Sequence, residues 1–272
     1  MNKIKLIGVD LDGTTLDQQK LISQENISAF KLCKEKGIYI VPVTGRPVSG
    51  LYDEYIEQIG CRYSIHTNGA VAMDLQNKQE ILHHPLKLNS AKEIIKILKD
   101  FDCYYGIFYK GYGYLDNKQY DKELAKYENT PMYRYIKTTR KKVDSQKDFI
   151  NSIDHCDNIY VIAKNSEIRD EIYQAIGNVN NIYYTCSEEC DVEIGGNCSK
   201  GKTLLELASN LGIKPSEVMA IGDSGNDLNM LELAGFSVAM KNSSQSILDV
   251  ADYVTKSCDN SGVAHSIRKF CL

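Results

Sequence analysis

Residues 10–17 read Asp10-Leu11-Asp12-Gly13-Thr14-Thr15-Leu16-Asp17, directly after the apolar run Ile4-Lys5-Leu6-Ile7-Gly8-Val9. This pattern predicts a buried strand that ends in two carboxylates one residue apart, followed by a glycine turn. Side chains alternate faces along a strand, so Asp10 and Asp12 set out in the same direction. Two like charges at a buried strand end cannot both stay ionised without compensation. A magnesium ion would supply it, taking carboxylate and carbonyl oxygens in an octahedral shell. One carboxylate then stays charged on the metal while the other can hold a proton, which suits chemistry on a phosphate.

Three further segments carry compatible groups. Val43-Thr44-Gly45-Arg46-Pro47 follows the apolar run Ile38-Tyr39-Ile40-Val41, and Gly222-Asp223-Ser224-Gly225-Asn226-Asp227 follows Val218-Met219-Ala220-Ile221. Ser199-Lys200-Gly201 opens a helical stretch. The segments that begin at Asp10, Val43 and Gly222 sit at the carboxyl ends of predicted strands, the edge where open parallel sheets bind ligands. Asp223 offers a second metal carboxylate, and Gly222 permits close backbone approach. Asp227 stands one helical turn on, where it reaches the metal through water, pairs with Lys200, or merely favours a helix start. Thr44 brings a hydroxyl, and the Gly45 amide, placed where Pro47 is expected to begin a helix, suits a phosphate oxygen. Lys200 would screen phosphate charge and steady Asp10, and Asn226 can donate an amide to a phosphate oxygen. Arg46 either touches substrate or makes a surface ion pair.

The elements that position these groups alternate along the chain. A helix is expected over Ser23–Lys36, stopped by Gly37, then a strand over residues 38–41 in which Pro42 marks fading pairing. A helix after Pro47 presents Leu51, Tyr55 and Ile59 on one face, completing a βαβα order that predicts a parallel sheet. Between residues 84 and 190 the motifs stop but the alternation continues. A helix through Ala91, Ile94, Ile95 and Leu98 precedes strands at 103–108, 112–115, 158–163 and 181–185, with a helix at 167–176. Tyrosines crowd residues 104–135, and Arg140-Lys141-Lys142 is expected to be a solvated helix entry. The first pattern resumes at Glu193-Ile194, followed by a helix with Leu204, Leu207, Ala208 and Leu211 that ends at Gly212. Strands at 218–221, 236–239 and 252–255 complete it. The chain is therefore expected to be α/β, with a Rossmann-like parallel-sheet core over 1–83 and 191–272 and an inserted α/β domain over 84–190.

Composition narrows the function classes. A net charge of −4 over 272 residues, without a basic stripe, argues against a nucleic-acid binder. No apolar stretch approaches the roughly 20 residues that span a bilayer, and Met1-Asn2-Lys3 runs straight into a strand, so no export signal is expected. Nine scattered cysteines fit free thiols in a reducing cytoplasm. Cys186, Cys190 and Cys198 lack both a Cys-x-x-Cys spacing and a nearby histidine, which argues against zinc. No exposed apolar stripe stands out, so a monomer is expected.

Taken together, the segments from Asp10, Val43, Ser199 and Gly222 resemble, in order, the four motifs of the haloacid dehalogenase superfamily of phosphohydrolases. Thr67-Asn68-Gly69-Ala70 and Ser261-Gly262-Val263-Ala264 resemble segments of its Cof-type branch (subfamily IIB), which carries a large α/β cap inserted between the second and third motifs. The resemblance runs from about residue 4 to residue 269. It implies a Mg2+-dependent phosphatase that hydrolyses small phosphorylated metabolites such as sugar phosphates through an aspartyl-phosphate. Asp10 would be the nucleophile, and Asp12 the general acid and base whose backbone carbonyl also binds metal. Metal would rest on Asp10, Asp12 and Asp223, and phosphate on Thr44, Gly45, Lys200 and Asn226, with Asp227 and Arg46 in support. Specificity would lie in the cap, where Arg134, Lys137 and the tyrosines offer recognition groups. A phosphotransferase or mutase using the same intermediate is the alternative, followed by a non-catalytic phosphometabolite-binding protein. Thr15, Ser243 after Asn242, and Asn260 before Ser261-Gly262 depart from the usual pattern.

Overall fold

Strands and helices alternate almost throughout the computed structural model, which describes residues 3–272. First come β1 (Leu6–Val9), α1 (Gln24–Glu35), β2 (Tyr39–Pro42), α2 (Asp53–Ile59), β3 (Tyr63–His66), β4 (Val71–Asp74) and β5 (Gln79–His83). There follow α3 (Leu88–Leu98), β6 (Cys103–Tyr109), β7 (Tyr112–Asp116), α4 (Asn117–Lys126), α5 (Met132–Thr139) and β8 (Arg140–Val143). Next are α6 (Gln146–Ser152), β9 (Asn158–Ala163), α7 (Ser166–Ile176), β10 (Tyr183–Thr185) and β11 (Asp191–Gly195). The chain closes with α8 (Lys200–Asn210), β12 (Val218–Gly222), α9 (Leu228–Leu233), β13 (Phe236–Ala239), α10 (Gln245–Leu248), β14 (Tyr253–Val254) and α11 (Gly262–Phe270). These elements form two compact units. One holds the chain through Gly45, Leu51–His83 and Ser199–Leu272; the other holds Arg46–Gly50 and His84–Cys198.

The first unit is built on a wholly parallel sheet in the order β14-β13-β12-β1-β2. The central strands β1 and β12 are buried on both faces, which explains their unbroken apolar runs. Ile7, Val9, Ile40, Met219 and Ile221 face one cluster with Ala29, Phe30 and Cys33 of α1. Leu6, Val41, Val218 and Ala220 face the other, with Leu204, Leu207 and Ala208 of α8. The period of two along each strand thus feeds two separate cores. The Ser23 hydroxyl caps α1 by accepting from the Asn26 amide at 3.2 Å. Pro42 does not break β2. The amides of Tyr39 and Val43 bond to β1 at Lys5 and Val9, so the position of Pro42 faces away from β1, where no ladder donor is missed. A three-stranded antiparallel sheet, β3-β4-β5, joins β2 through a bridge between Val43 and Ile65.

The second unit has a mixed sheet in the order β10-β11-β9-β6-β7-β8, parallel only between β7 and β8. Helices α3, α6 and α7 cover it with Ile94, Leu98, Ile150, Ile172 and Ile176. Three expectations need correction here. Glu193-Ile194 does not return the chain to the first unit, because β11 pairs antiparallel with β9, opposite Tyr160 and Ile159; the return comes only at Ser199. Arg140-Lys141-Lys142 is no solvated helix entry but the strand β8, paired with Gly113–Leu115. Arg140 is buried, donating to the Tyr160 hydroxyl at 3.1 Å and stacked on the Phe108, Tyr135 and Tyr160 rings. Finally, Pro47 starts no regular helix. Val48–Gly50 makes one short turn whose Ser49 hydroxyl donates to the Gly111 carbonyl at 2.6 Å, and α2 begins only at Asp53.

Helices α8 and α9 meet at Gly201. A methyl group there would lie 2.5 Å from the Asn229 carbonyl oxygen and 2.8 Å from the Met230 Cα, both backbone atoms. Gly201→Ala is therefore expected to lower stability by about 1–3 kcal/mol. Urea denaturation measures this, and an unchanged midpoint would contradict the close packing.

Candidate active site

Three adjacent strands deliver the acidic and hydroxyl groups to one edge. Asp10 follows β1, Thr44 lies just beyond β2, and Asp223 follows β12, on either side of the central β1. Asp10 is buried, and its amide continues the sheet by bonding to the Ile221 carbonyl at 3.0 Å. Lys200 is the first residue of α8, whose N-cap Ser199 accepts from the Lys202 amide and donates to the Asn229 side chain. Gly222 earns its place sterically, since a Cβ would fall 2.5 Å from the Asp227 carboxyl carbon.

The Lys200 ammonium is the hub. It is 1% exposed and lies 2.7 Å from Asp10 Oδ1, 2.7 Å from Asp227 Oδ1 and 3.0 Å from Asn226 Oδ1. The other Asp227 oxygen accepts the Asp223 and Ser224 amides at 2.9 and 3.1 Å. Of the roles open to Asp227, the geometry therefore shows the pairing with Lys200, together with a brace on the turn that carries Asp223. Asp223 accepts the Thr14 hydroxyl at 2.6 Å. Burial pushes the Asp10 carboxyl well above the usual carboxylate range, with repulsion from Asp227 and Asp223 acting against the pull of Lys200. Burial likewise lifts Asp223 to about 7, with Asp227 adding to it. Burial works against charge on Lys200, but Asp10 and Asp227 outweigh it and hold its pKa above the ordinary value.

Oxygens of Asp10, Asp223 and Asp227 lie within 4.8 Å of one another. Three carboxylates against one ammonium leave surplus negative charge in a buried place, and hard oxygen donors fit a divalent cation. Asp227 is spent on lysine and backbone, so Asp10 and Asp223 are the carboxylates suited to hold it.

The remaining expected residues scatter more widely. The Asp12 side chain leaves the cluster and pairs with Lys20 at 2.7 Å, where it is 36% exposed. Lys20 occupies a left-handed backbone position held by the Tyr55 hydroxyl, which donates to its carbonyl at 2.8 Å. Thr44 is buried, and its carbonyl accepts the Asn68 amide at 3.1 Å. Gly45 does not stand at a helix N-terminus, because Arg46–Gly50 packs within the second unit. Arg46 is not a surface group. It is 3% exposed, donates to the Gly50 carbonyl at 3.1 Å and stacks 4.7 Å from the Tyr135 ring centre.

Several supporting groups were given no role by sequence reasoning. Thr15 donates to the Asp10 carbonyl at 2.6 Å, and Asn242 donates to the Gly13 carbonyl at 2.8 Å. Thr15 sits inside the first motif and was legible there as a hydroxyl. Asn242 and Lys20 carry no local signal of this role, since only folding brings them to this edge.

A model of the haloacid dehalogenase-like hydrolases matches residues 7–267. A phosphatase of Bacillus subtilis, YwpJ, is 30% identical over 97% of this chain and 99% of its own. The 5-amino-6-(5-phospho-D-ribitylamino)uracil phosphatase YcsE of the same organism is 28% identical over 99% of this chain and 96% of its own. Among solved structures, a haloacid dehalogenase-like hydrolase from B. subtilis superposes with a TM-score of 0.86 at 29% identity, covering 97% of this chain and 99% of that one.

The surplus charge yields a prediction with no reference to turnover. Magnesium is expected to raise the melting temperature and EDTA to remove the rise, because an ion bound only by the folded chain stabilises it. Asp223→Asn should abolish most of the rise; an equal rise in that variant would contradict the ligand assignment.

Proposed function

Because the chain belongs to the haloacid dehalogenase-like hydrolase family, we propose that it is a magnesium-dependent phosphatase of small phosphorylated metabolites, sugar phosphates or similar monoesters. The observation that carries this is the buried Asp10, held at 2.7 Å by Lys200 and bordered by Asp223, with the half-exposed Asp12 two residues on. The two named phosphatases of B. subtilis, one of them acting on a phosphorylated ribityl compound, support the same class.

In the first half-reaction an Asp10 carboxylate oxygen attacks phosphorus, the bond to the leaving oxygen breaks, and Asp12, protonated and released from Lys20, gives that oxygen its proton. In the second, Asp12 takes a proton from water, the water oxygen attacks phosphorus, and the Asp10–phosphorus bond breaks to release phosphate. Lys200 aims Asp10 and balances charge on the phosphoryl group, and Thr44, Gly45 and Asn226 offer it hydroxyl and amide donors. Asp10, Asp223 and the Asp12 carbonyl would hold Mg2+, which neutralises charge on the phosphoryl oxygens when bound. Among the described residues no helix is long and apolar enough to cross a membrane. We place the enzyme in the cytoplasm, acting as a monomer on free small molecules, with neither nucleic acid nor membrane as partner.

Phosphate release should be measured with and without magnesium on sugar phosphates, pyridoxal phosphate, flavin mononucleotide and nucleotides. Metal-dependent release from a few members is expected, and silence from the folded protein would contradict the assignment. Asp10→Asn should lower kcat by about a thousandfold or more while the protein stays folded. Wild-type turnover in that variant would remove Asp10 as nucleophile.

A further inference from the structure

The turn after β3 is unusual in a way the reaction scheme does not use. Thr67, Asn68 and Gly69 all have positive φ, at 52°, 55° and 101°. Glycine tolerates this region and asparagine does so more readily than most residues, but a β-branched threonine there is strained. The strain is held in a buried place, with Thr67 3% and Asn68 5% exposed. Packing dictates the conformation. A Cβ at Gly69 would lie 2.4 Å from the Ser199 carbonyl oxygen, and the Thr203 hydroxyl donates to the Gly69 carbonyl at 2.8 Å. The turn is thus pressed against the start of α8, one residue from Lys200.

Asn68 connects two of the segments that carry the chemistry. Its backbone amide donates to the Thr44 carbonyl at 3.1 Å, and its side-chain oxygen accepts the Asn226 amide group at 3.3 Å. On the opposite side, the Asn226 oxygen accepts from Lys200 at 3.0 Å and from Ser224 at 2.9 Å. The Lys200 and Ser224 donors on its oxygen and the Asn68 acceptor on its nitrogen set the orientation of the Asn226 amide. The two N–H bonds of a planar amide are set 120° apart by its geometry, so fixing one aims the other.

We propose that Asn68 is a positioning residue that aims the Asn226 amide at the transferring phosphoryl group, an inference that rests on the phosphatase assignment for its substrate. The left-handed turn is the means by which an acceptor is brought between Thr44 and Asn226. A preorganised donor loses no free energy to reorientation when phosphate arrives, so its effect is seen on phosphate affinity and on kcat/KM together.

Asn68→Gly separates the side chain from the backbone, because glycine accepts the same φ without strain. If Asn68 only fills a left-handed position, Asn68→Gly will retain full activity. If it aims Asn226, inorganic phosphate affinity, read by calorimetry with magnesium present, and kcat/KM should both fall about threefold to tenfold, the size of one hydrogen bond lost. The same substitution in an Asn226→Ala background should then cost nothing more. Full activity in Asn68→Gly, or an equal loss in both backgrounds, would overturn the proposal. Should Asn68→Gly fail to fold, the wild-type protein still decides by nuclear magnetic resonance. Slow solvent exchange of the Asn226 side-chain N–H held by Asn68 is expected, and exchange as fast as in an unfolded chain would overturn the proposal. Wild-type phosphate release tests the phosphatase assignment alone, whereas phosphate affinity and the Asn226 signals test Asn68 even in a protein that turns nothing over.

Discussion

One buried ammonium among three carboxylates governs the rest of the structure. Lys200 satisfies Asp10 and Asp227 directly and Asp223 only at a distance, so the cluster is balanced neither by charge nor by solvent. Removing any partner from such a group leaves an uncompensated buried charge, which is far more costly than never having built the cluster. Stability is spent here for a reason that stability itself does not supply, and a phosphate site with a divalent cation is the environment in which the surplus becomes useful.

The parallel sheet makes the cluster possible. With β1 between β12 and β2, three strands end side by side, and no side chain on any one of them has to reach far. Lys200 arrives from a different element, α8, and its place depends on Gly201 against α9 and on Gly69 against Ser199. The two faces of the sheet are sealed by separate apolar clusters, which leaves its carboxyl edge to hold polar groups. Asp227 shows how tightly position and chemistry are joined. One of its oxygens holds the lysine, and the other holds the amides of the turn that presents Asp223.

Much of this was legible in the sequence because the motifs are local and end apolar runs. Val9 to Asp10 and Ile221 to Asp223 mark where strands stop and chemistry starts, and β9 and β13 fall on the expected residues, 158–163 and 236–239. What escaped was set by tertiary contact. The three basic residues at 140–142 look like a solvated surface until Phe108, Tyr135 and Tyr160 enclose Arg140, and no local pattern announces that enclosure. Glu193-Ile194 is apolar alternation that suits either sheet, and only pairing with β9 decides between them. Arg46 sits beside the phosphate motif in sequence, but Tyr135, which takes it into the second unit, lies far along the chain. Pro47 favours a helix start on its own terms, and the bond from Ser49 to Gly111 overrides it. Asp12 and Lys20 are a further case, since their ion pair depends on a left-handed residue that the sequence does not mark.

The central claim is that Asp10 carries the phosphoryl group between the two half-reactions. Acid-quenching the enzyme during turnover of an accepted substrate, then mapping phosphorylated peptides by mass spectrometry, tests it most directly. The mechanism predicts a phosphoryl group on the peptide containing Asp10, at that residue, lost when the quenched sample is treated with hydroxylamine. Rapid turnover with no adduct, or with an adduct on a different residue, would contradict it.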